Sequence, residues 1–288
     1  MKSKKITAII LTKDEAHRLP LIFNNLSDFA DIVVFDGGST DGTLSVCDAH
    51  GVEFVSRPIE LRDIVGGDIK FALERVKTPY VLYVNCSHYY PNKLLSEFKR
   101  VAEEGQYAAV YHDIVIYTYA QVVHRPFFRR RSSAINFYRV DAVNFANTVV
   151  HNEAPVELPD HKKWRVPAKD DYAIHLFRDY NVKKAESNHS FYGDQDAQLR
   201  FDSGMRTTPS LIVWRPLKYF LYQYFRCGSV RYGVAGFVYA VLFAQLEMNI
   251  QMKLWELQQG LGMERIIEMN LQARASMYAL DIERSRGN

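Results

Sequence analysis

The chain has 288 residues, of which 48% are apolar and 24% charged, a balance typical of a globular, core-forming protein. Its formal net charge of +3 is small for this length, so composition gives no reason to expect nucleic-acid binding. The three cysteines are widely spaced and form no C-x-x-C pair. This pattern argues against a disulfide framework or a zinc site and favours a reducing compartment.

The first hundred residues alternate strand and helix patterns. The predicted strands are Ile6–Leu11, Ile32–Phe35, Glu53–Ser56 and Tyr80–Val84, and the predicted helices are Leu19–Leu26, Thr43–His50, Asp68–Val76 and Pro91–Glu104. Such alternation predicts an α/β fold with a mostly parallel sheet covered on both faces. Ligands of these sheets bind at the carboxyl ends of the strands.

The pattern changes after about residue 105. Ala108–His112 is one more strand candidate, Ile114–Val123 and Phe137–Val150 predict antiparallel additions, and Tyr172–Phe177 is a last strand candidate. From Asn181 onward the chain is predicted to be helical. A change of composition near residue 205 separates a sheet domain, residues 1–205, from a C-terminal helical region, residues 206–288.

The termini and the apolar runs bear on localisation. Asp14 and Glu15 interrupt the N-terminal apolar run too early for a signal peptide. The longest uncharged run, Tyr232–Leu246, has 15 residues, whereas a membrane span needs roughly 20. We therefore expect a cytoplasmic protein without a membrane span, one that is able to lie on the inner face of a membrane.

The second predicted strand ends in a carboxylate and a glycine turn, within the sequence FDGGSTDGT from Phe35 to Thr43. One interpretation is an ordinary strand–turn–helix connection, in which Ser39, Thr40 or Asp41 caps the helix. The other places Asp36 at the carboxyl end of a strand, where it can accept hydrogen bonds from a nucleobase or ribose.

Polar residues also follow the first strand, because Thr12 is succeeded by Lys13, Asp14 and Glu15. Two neighbouring strand ends therefore aim polar groups at one crevice, which favours the nucleotide interpretation. The dinucleotide pattern G-x-G-x-x-G is absent after the first strand.

Thr12–Glu15 followed by Asp36–Thr43 resembles the paired N-terminal signatures of family 2 glycosyltransferases, T-Y-N-E and D-D/G-G-S-x-D-x-T. The resemblance implies a GT-A fold, a Rossmann-like sheet with antiparallel additions, and an enzyme that uses a nucleotide sugar. It implies that Asp36 contacts the base, commonly uracil, that Thr12 and Glu15 lie near base and ribose, and that Asp68 and Lys70 face the nucleotide.

The fourth predicted strand departs from the family pattern. The family carries a D-x-D motif there, whose carboxylates hold a divalent metal, but this chain has Asn85, Cys86, Ser87 and His88. Neutral oxygens are weak ligands for Mg²⁺. Three interpretations follow: a metal-independent enzyme, an enzyme that holds Mg²⁺ or Mn²⁺ weakly through Asn85, Ser87 and His88, or an inactive relative. Asn85 remains a candidate nucleotide contact.

A metal-independent enzyme needs basic groups on the leaving diphosphate. Arg129, Arg130 and Arg131 are candidates because guanidinium groups match phosphate oxygens, and Lys183 is a further one. The alternative for the arginine run is a solvated charged surface.

A histidine and a carboxylate two residues apart, His151 and Glu153, follow the β-branched run that ends at Val150. In an extended strand these side chains share a face, and an inverting transfer needs one base for the acceptor hydroxyl. The alternative is a surface strand end. The segment resembles the V-H-E element of family 2 enzymes that build bacterial lipopolysaccharide core or surface glycans, with Asn152 inserted. Glu153 is the preferred base, and Asp113 is a weaker candidate.

The C-terminal region opens with Trp214–Cys227, which has three basic residues, six aromatic residues and no acid. Basic and aromatic residues beside an apolar helix suit an anionic membrane surface, although packing against protein gives the same pattern. The region resembles the C-terminal part of the lipopolysaccharide subgroup, which implies a peripheral enzyme with a lipid-linked acceptor. The tail, Gln258–Arg284, predicts a charged amphipathic helix suited to homo-oligomer contacts.

Together these features predict an inverting glycosyltransferase that moves a sugar from a nucleoside diphosphate, with UDP favoured by the resemblance, to a hydroxyl of a bacterial surface glycan or its lipid-linked precursor. The alternative is a catalytically inactive nucleotide-binding or scaffold protein on the same fold. A nucleotidyltransferase is disfavoured, because Thr12–Glu15 is acidic where that class carries a basic, glycine-rich phosphate loop.

Overall fold

The structure is a computed structural model that describes residues 4–58, 67–120, 122–124, 133–143, 158–178 and 181–286. The chain divides into two compact units, Met1–Asp179 and Tyr180–Asn288, which are taken in turn. The composition change that the sequence shows near residue 205 falls inside the second unit, after its first helix.

The first unit is an α/β unit in which ten described strands form one sheet. Its strands are β1 (Ile6–Thr12), β2 (Asp31–Asp36), β3 (Glu53–Ser56), β4 (Tyr80–Val84), β5 (His88–Tyr89), β6 (Ala109–Thr118), β7 (Val122–His124), β8 (Ser133–Arg139), β9 (Lys163–Arg165) and β10 (Ala173–Arg178). Its helices are α1 (Leu19–Leu26), α2 (Thr43–His50), α3 (Gly67–Leu73) and α4 (Asn92–Glu104).

The sheet is parallel at one end and mixed at the other. Its order is β3-β2-β1-β4-β8-β6-β10-β5, and β7 and β9 also pair with β6. The first four strands of this order are mutually parallel, whereas β8 runs antiparallel to both β4 and β6. The sequence prediction of a mostly parallel sheet with antiparallel additions is therefore confirmed.

Strand β5 follows β4 after only three residues, yet it pairs with β10 on the far side of β6. The sheet therefore curls, so that the segment leaving β4 reaches its last strand. The backbone N–H of Phe177 in β10 donates to the carbonyl oxygen of Ser87 at 2.8 Å and fixes this connection.

Two apolar cores explain why these elements pack. On one face, Ile10 and Leu82 of the sheet pack with Leu26 of α1 and Phe98 of α4, all fully buried. On the other face, Ile9 and Phe35 belong to a smaller core that includes residues of α3. Adjacent residues such as Ile9 and Ile10 enter opposite cores because side chains alternate along a strand, and this explains the continuous apolar runs of a sheet covered on both sides.

The second unit consists of helices α5 (Val182–Asp202), α6 (Pro209–Leu221), α7 (Gly233–Gln259) and α8 (Met263–Arg286). Helices α5 and α6 both pack along α7. Within the described residues one helical stretch, Ser229–Gln259, is long and apolar enough to cross a membrane, and only 33% of its most apolar window is buried. The uncharged run in the sequence, Tyr232–Leu246, is shorter because it ends before Glu247, whereas the helical stretch continues beyond that residue.

The sequence prediction and the structure differ most around β6. The sequence divides this region into two strands, but the structure has one ten-residue strand, Ala109–Thr118, with a register irregularity between Val110 and His112. The predicted antiparallel stretch after Phe137 is shorter than expected, because β8 ends at Arg139 and a 3₁₀ turn, Val140–Ala142, follows.

Candidate active site

The carboxyl ends of the parallel strands meet at one edge of the sheet. Thr12, the last residue of β1, pairs directly with Asp36, the last residue of β2, and Asp36 pairs with Ser56 at the end of β3. On the other side Ile10 pairs with Val84, so Asn85 lies next to the end of β1. Thr12, Asp36 and Asn85, three of the residues that the sequence assigned to nucleotide binding, are therefore brought together.

The Asp36 carboxylate organises the turn that follows it. Its Oδ2 accepts hydrogen bonds from the backbone N–H groups of Gly38 (2.9 Å) and Ser39 (2.8 Å), and its Oδ1 accepts one from the Ser39 hydroxyl. Gly38 has a φ of 83°, in the left-handed region that glycine adopts without strain. Asp36 is 97% buried. A carboxylate oxygen has two lone pairs, so these bonds fill Oδ2 and leave one lone pair on Oδ1.

The loops that follow β1 and β2 are tied together. The N–H of Asp14 donates to Ser39 Oγ at 2.7 Å, and Ser39 in turn donates to Asp36. The Asp14 carboxylate accepts from the N–H of Thr40 at 2.7 Å. The two sequence signatures thus form one hydrogen-bonded platform.

Asp41 makes a second tie between these loops. It accepts hydrogen bonds from the N–H groups of Ala16 and Thr43, both at 2.9 Å, and from the Thr43 hydroxyl. Burial raises the pKa of Asp41, but the hydrogen bonds from Thr43 and Ala16 outweigh it, and the net pKa lies below its ordinary value. The carboxylate therefore stays ionised, in the form that accepts these bonds best.

Arg57, directly after β3, lies over the glycine turn. Its backbone N–H donates to the carbonyl oxygen of Asp36 at 2.8 Å, and its guanidinium forms a close ion pair with Asp68 of α3. A Cβ at Gly37 would lie 2.6 Å from Arg57 Nη2, so any side chain there would force the guanidinium to shift. Asp68, which the resemblance places facing the nucleotide, forms its ion pair with Arg57. The sequence analysis missed Arg57, whose only signal is a basic residue directly after a predicted strand.

The segment after β4 does not have the donor set of a metal site. Asn85 Oδ1 accepts hydrogen bonds from the N–H (3.0 Å) and hydroxyl (2.7 Å) of Ser87. His88 is buried, with its Nδ1 3.0 Å from the Tyr90 hydroxyl. Burial, followed by the neighbouring His112, lowers the pKa of His88 to about 3.

A Mg²⁺ ion prefers carboxylate and water oxygens, and Asn85, Ser87 and His88 offer neutral groups that already bond to each other or to Tyr90. These residues therefore do not fit a divalent cation. Among the described residues no group of three or more His, Cys, Asp or Glu side chains could hold a metal ion.

Cys86 lies between the ends of β1 and β4. Burial and the charge of Glu15 raise the pKa of its thiol to about 12. The thiol therefore stays protonated and is no nucleophile. Glu15, predicted to lie near base and ribose, forms an ion pair with Arg18 at 3.2 Å.

Several predicted site residues lie outside the described part of the chain. These are the base candidates His151 and Glu153 and the phosphate candidates Arg129, Arg130 and Arg131. Lys183 is described, in the first turn of α5, and it is exposed. The weaker base candidate, Asp113, is half-buried on β6.

Comparison with known proteins gives a family and relatives. The family model "Glycosyl transferase family 2" matches residues 7–153, just over half of the chain. Uncharacterized glycosyltransferases of Rickettsia bellii and Rickettsia conorii are each 24% identical over 255 residues; the match covers 84% of this chain and 83% and 86% of theirs.

Among solved structures, the chain is similar to the glucosyl-3-phosphoglycerate synthase of Mycobacterium tuberculosis in complex with Mn²⁺ and UDP-glucose, with a TM-score of 0.45 at 14% identity over 71% of this chain and 81% of that one. Another is S. aureus TarS 1–349, with a TM-score of 0.47 at 13% identity over 89% and 92% of the two chains.

The family match spans both loops of the platform around Asp36 and the strand end at Asn85. The chain therefore belongs to glycosyl transferase family 2 and is a glycosyltransferase.

Proposed function

We propose that this enzyme transfers a sugar, with inversion, from a nucleoside diphosphate to a hydroxyl of a bacterial surface glycan or its lipid-linked precursor, in the manner of the lipopolysaccharide subgroup that its sequence resembles. The observation that carries the proposal is the pairing of Thr12 with Asp36 at the sheet edge, with both following loops tied together by Asp14 and Ser39. A rigid polar platform of this kind suits a base and ribose.

UDP is the proposed carrier, because the resemblance assigns Asp36 to uracil. The imide N–H of uracil is a donor, and the free acceptor capacity of Asp36 Oδ1 matches it. Thr12 and Glu15 would then lie beside the base and ribose, and Asn85 near the sugar end of the nucleotide.

In the proposed reaction Glu153, assisted by His151, takes the proton of the acceptor hydroxyl as its oxygen attacks the anomeric carbon. The bond from that carbon to the diphosphate oxygen breaks, and the diphosphate keeps the electron pair. Configuration inverts because attack and departure occur on opposite faces of the sugar.

We infer that basic side chains rather than a metal neutralise the leaving diphosphate. Asn85, Ser87 and His88 do not fit a divalent cation, so the charge must be offset by other groups. Arg129, Arg130, Arg131 and Lys183 are the candidates that the sequence offers, since arginine forks and lysine ammonium groups bind phosphate oxygens.

Calorimetric titration with UDP, GDP and ADP tests the donor site. We expect UDP to bind best, and Asp36→Asn to weaken it by about tenfold or more, since a charge-assisted hydrogen bond contributes about 1.5–3 kcal/mol. Asn keeps an oxygen for the turn but loses the charge. Asp31→Asn, at the exposed opposite end of β2, is the matched control; equal affinities for the two variants would refute the site.

We further propose that the second unit holds the enzyme on the inner, cytoplasmic face of an anionic membrane. Between Asp202 and Glu247 the chain has five basic residues and no acid, and Trp214 and Phe225 are 60% and 59% exposed. Apolar contact and attraction to anionic lipid act together on such a surface.

Sedimentation with vesicles tests this placement. The protein should sediment with phosphatidylglycerol vesicles and remain in solution with phosphatidylcholine vesicles, and Trp214→Ala with Phe225→Ala should release it. Phe191→Ala, which removes an aromatic side chain of α5 that is 55% exposed, should have no effect. Binding that ignores lipid charge and these variants would contradict the proposal.

A further inference from the structure

Four aromatic rings from three neighbouring strands form one array beyond the sheet edge. Tyr117 of β6 stacks on Phe177 of β10, with ring centroids 4.4 Å apart and planes 10° apart, and lies parallel to His175 at 5.7 Å and 24°. Tyr89 of β5 meets His175 edge-on at 6.1 Å. Strand register explains the array, because Tyr89 pairs with His175 and Phe177 pairs with Tyr117.

The array occupies one face of these strands, while the other face is core. His88 and Ile174, which alternate with Tyr89 and His175, are 92% and fully buried. In contrast Tyr89 and Phe177 are 47% and 43% exposed. Two large rings are thus presented to solvent at the end of a well-packed sheet.

Hydrogen bonds hold the array in place. The Tyr117 hydroxyl lies 2.9 Å from His175 Nδ1, and His175 Nε2 lies 3.1 Å from the carbonyl oxygen of Asp170. His175 therefore joins two strands and a loop, and its ring plane is fixed. Fixed rings with polar edges are what a site needs to bind a small polar molecule without losing side-chain entropy on binding.

The array is continuous with the candidate nucleotide site. Strand β5 begins directly after Ser87. The carbonyl oxygen of Ser87 accepts a hydrogen bond from the N–H of Phe177, and its hydroxyl donates to Asn85 Oδ1 just after the end of β4. Val115 of β6 pairs with His175. Asp113 precedes Val115 by two residues, so it lies on the same face as the array, about 7 Å from Val115 along the strand. A ligand on the rings would lie beside the donor and a carboxylate.

We propose that this array is the acceptor subsite, on which a pyranose ring of the acceptor glycan stacks. This inference rests on the proposed transferase function and adds the chemical class of the group that binds beside the donor. The C–H face of a pyranose is apolar and weakly positive, and it complements the negative face of an aromatic ring. Its equatorial hydroxyls point outward, away from the stacked faces, so stacking leaves them able to bond to polar groups around the array.

Saturation-transfer NMR with methyl β-D-glucopyranoside, methyl β-D-galactopyranoside and methyl α-D-mannopyranoside, in the presence of UDP, tests the proposal on the full chain. Saturation should concentrate on the C–H protons of one sugar face. Tyr89→Ala and Phe177→Ala should each weaken binding about 3- to 10-fold, the range that one aromatic contact contributes. Tyr89→Phe, which keeps the ring, should bind as the parent does.

Phe177→Leu distinguishes ring stacking from general apolar contact. It also replaces Phe177→Ala in the binding test if the alanine variant fails to fold. Stacking predicts that leucine behaves like alanine. An acyl chain or another apolar occupant would accept leucine, so parent-like pyranoside binding by Phe177→Leu overturns the proposal. Pyranoside binding that none of the array variants weakens, or no pyranoside binding at all, also overturns it. Phe191→Ala is the control for loss of an exposed ring.

UDP titration on the same samples keeps this test apart from that of the donor site. The array variants should bind UDP with parent affinity. If UDP fails to bind the parent, the proposed function fails; if UDP binds normally while no pyranoside does, the acceptor subsite alone is refuted.

Discussion

The backbone N–H of Thr40 donates to the Asp14 carboxylate at 2.7 Å, and this bond joins the loop after β1 to the loop after β2. Asp14 has a φ of 56°, in the left-handed region, where Asp and Asn are tolerated better than other residues with a side chain. Two features therefore favour aspartate at this position: its tolerance of the left-handed backbone and its carboxylate acceptor.

We predict that Asp14→Ala weakens UDP binding about tenfold, because the unpartnered Thr40 N–H and the strained alanine loosen the platform by about 1–2 kcal/mol. Asp14→Asn, which keeps the acceptor oxygen and tolerates the backbone angle, should bind UDP within about twofold of the parent. Calorimetry on both variants decides the point. If alanine and asparagine behave alike, the bond does not hold the platform.

Gly37 allows the second close contact of the site. A Cβ there would lie 2.6 Å from Arg57 Nη2, and Arg57 is buried and paired with Asp68. Gly37→Ala should therefore destabilise the chain by about 1–3 kcal/mol, as overpacking does, and weaken UDP binding.

Gly42→Ala is the matched control in the same loop, since a Cβ there would meet its nearest atom, in Ala16, at 3.8 Å. Urea unfolding should show a small change for this variant and a large one for Gly37→Ala. Equal stability of the two variants would mean that Arg57 moves away without cost.

The sequence allowed the first four strands and their helices to be predicted well, because short apolar runs alternate with stretches of helical spacing in this part of the chain. It did not reveal that β5 pairs with β10, since only two residues, His88 and Tyr89, form that strand. Such pairing depends on the curl of the sheet and on contacts between residues far apart in the chain.

The sequence predicted that Thr12, Asp36 and Asn85 lie at neighbouring strand ends, and the structure brings them together. The hydrogen bonds of Asp36 within the turn depend on the local backbone and could not be predicted. Arg57 and the aromatic array were missed, because the register that brings Tyr89, His175 and Tyr117 together is not visible as a spacing along the chain.

Two buried histidines should make stability depend on pH. Burial, followed by the charge of His112, lowers the pKa of His88 to about 3, and burial lowers that of His112 to about 4, both from 6.5. Between about pH 6.5 and pH 4 the unfolded chain binds protons at these residues that the folded chain excludes. The free energy of unfolding should therefore rise with pH in this window and level off above it.

Each histidine contributes at most about 1.4 kcal/mol per pH unit to that slope. Urea unfolding of the parent and of His112→Gln at several pH values measures it, and the variant should show a shallower slope whatever its absolute stability. An unchanged slope would contradict the assignment of a neutral, buried His112.

Glu247 should be the most sensitive charged residue of the second unit. Its side chain is 2% exposed and accepts two hydrogen bonds from Arg200, at 2.8 and 3.0 Å, with Arg215 3.2 Å away. Glu247→Ala leaves these cations without their partner and should destabilise the unit by about 3 kcal/mol. Glu256→Ala, at an exposed position of the same helix, should change stability little; calorimetric melting of both variants measures the difference, and equal shifts would count against the cluster.

The rate of nucleotide release from a UDP-sugar panel, measured with a glycan acceptor in EDTA, tests most directly the claim that Asp36 anchors a donor site that works without a metal. EDTA should leave the rate of release unchanged, and Asp36→Asn should lower it by at least about tenfold. Release that EDTA abolishes and Mn²⁺ restores, or that Asp36→Asn leaves unchanged, would refute a metal-independent site anchored by Asp36.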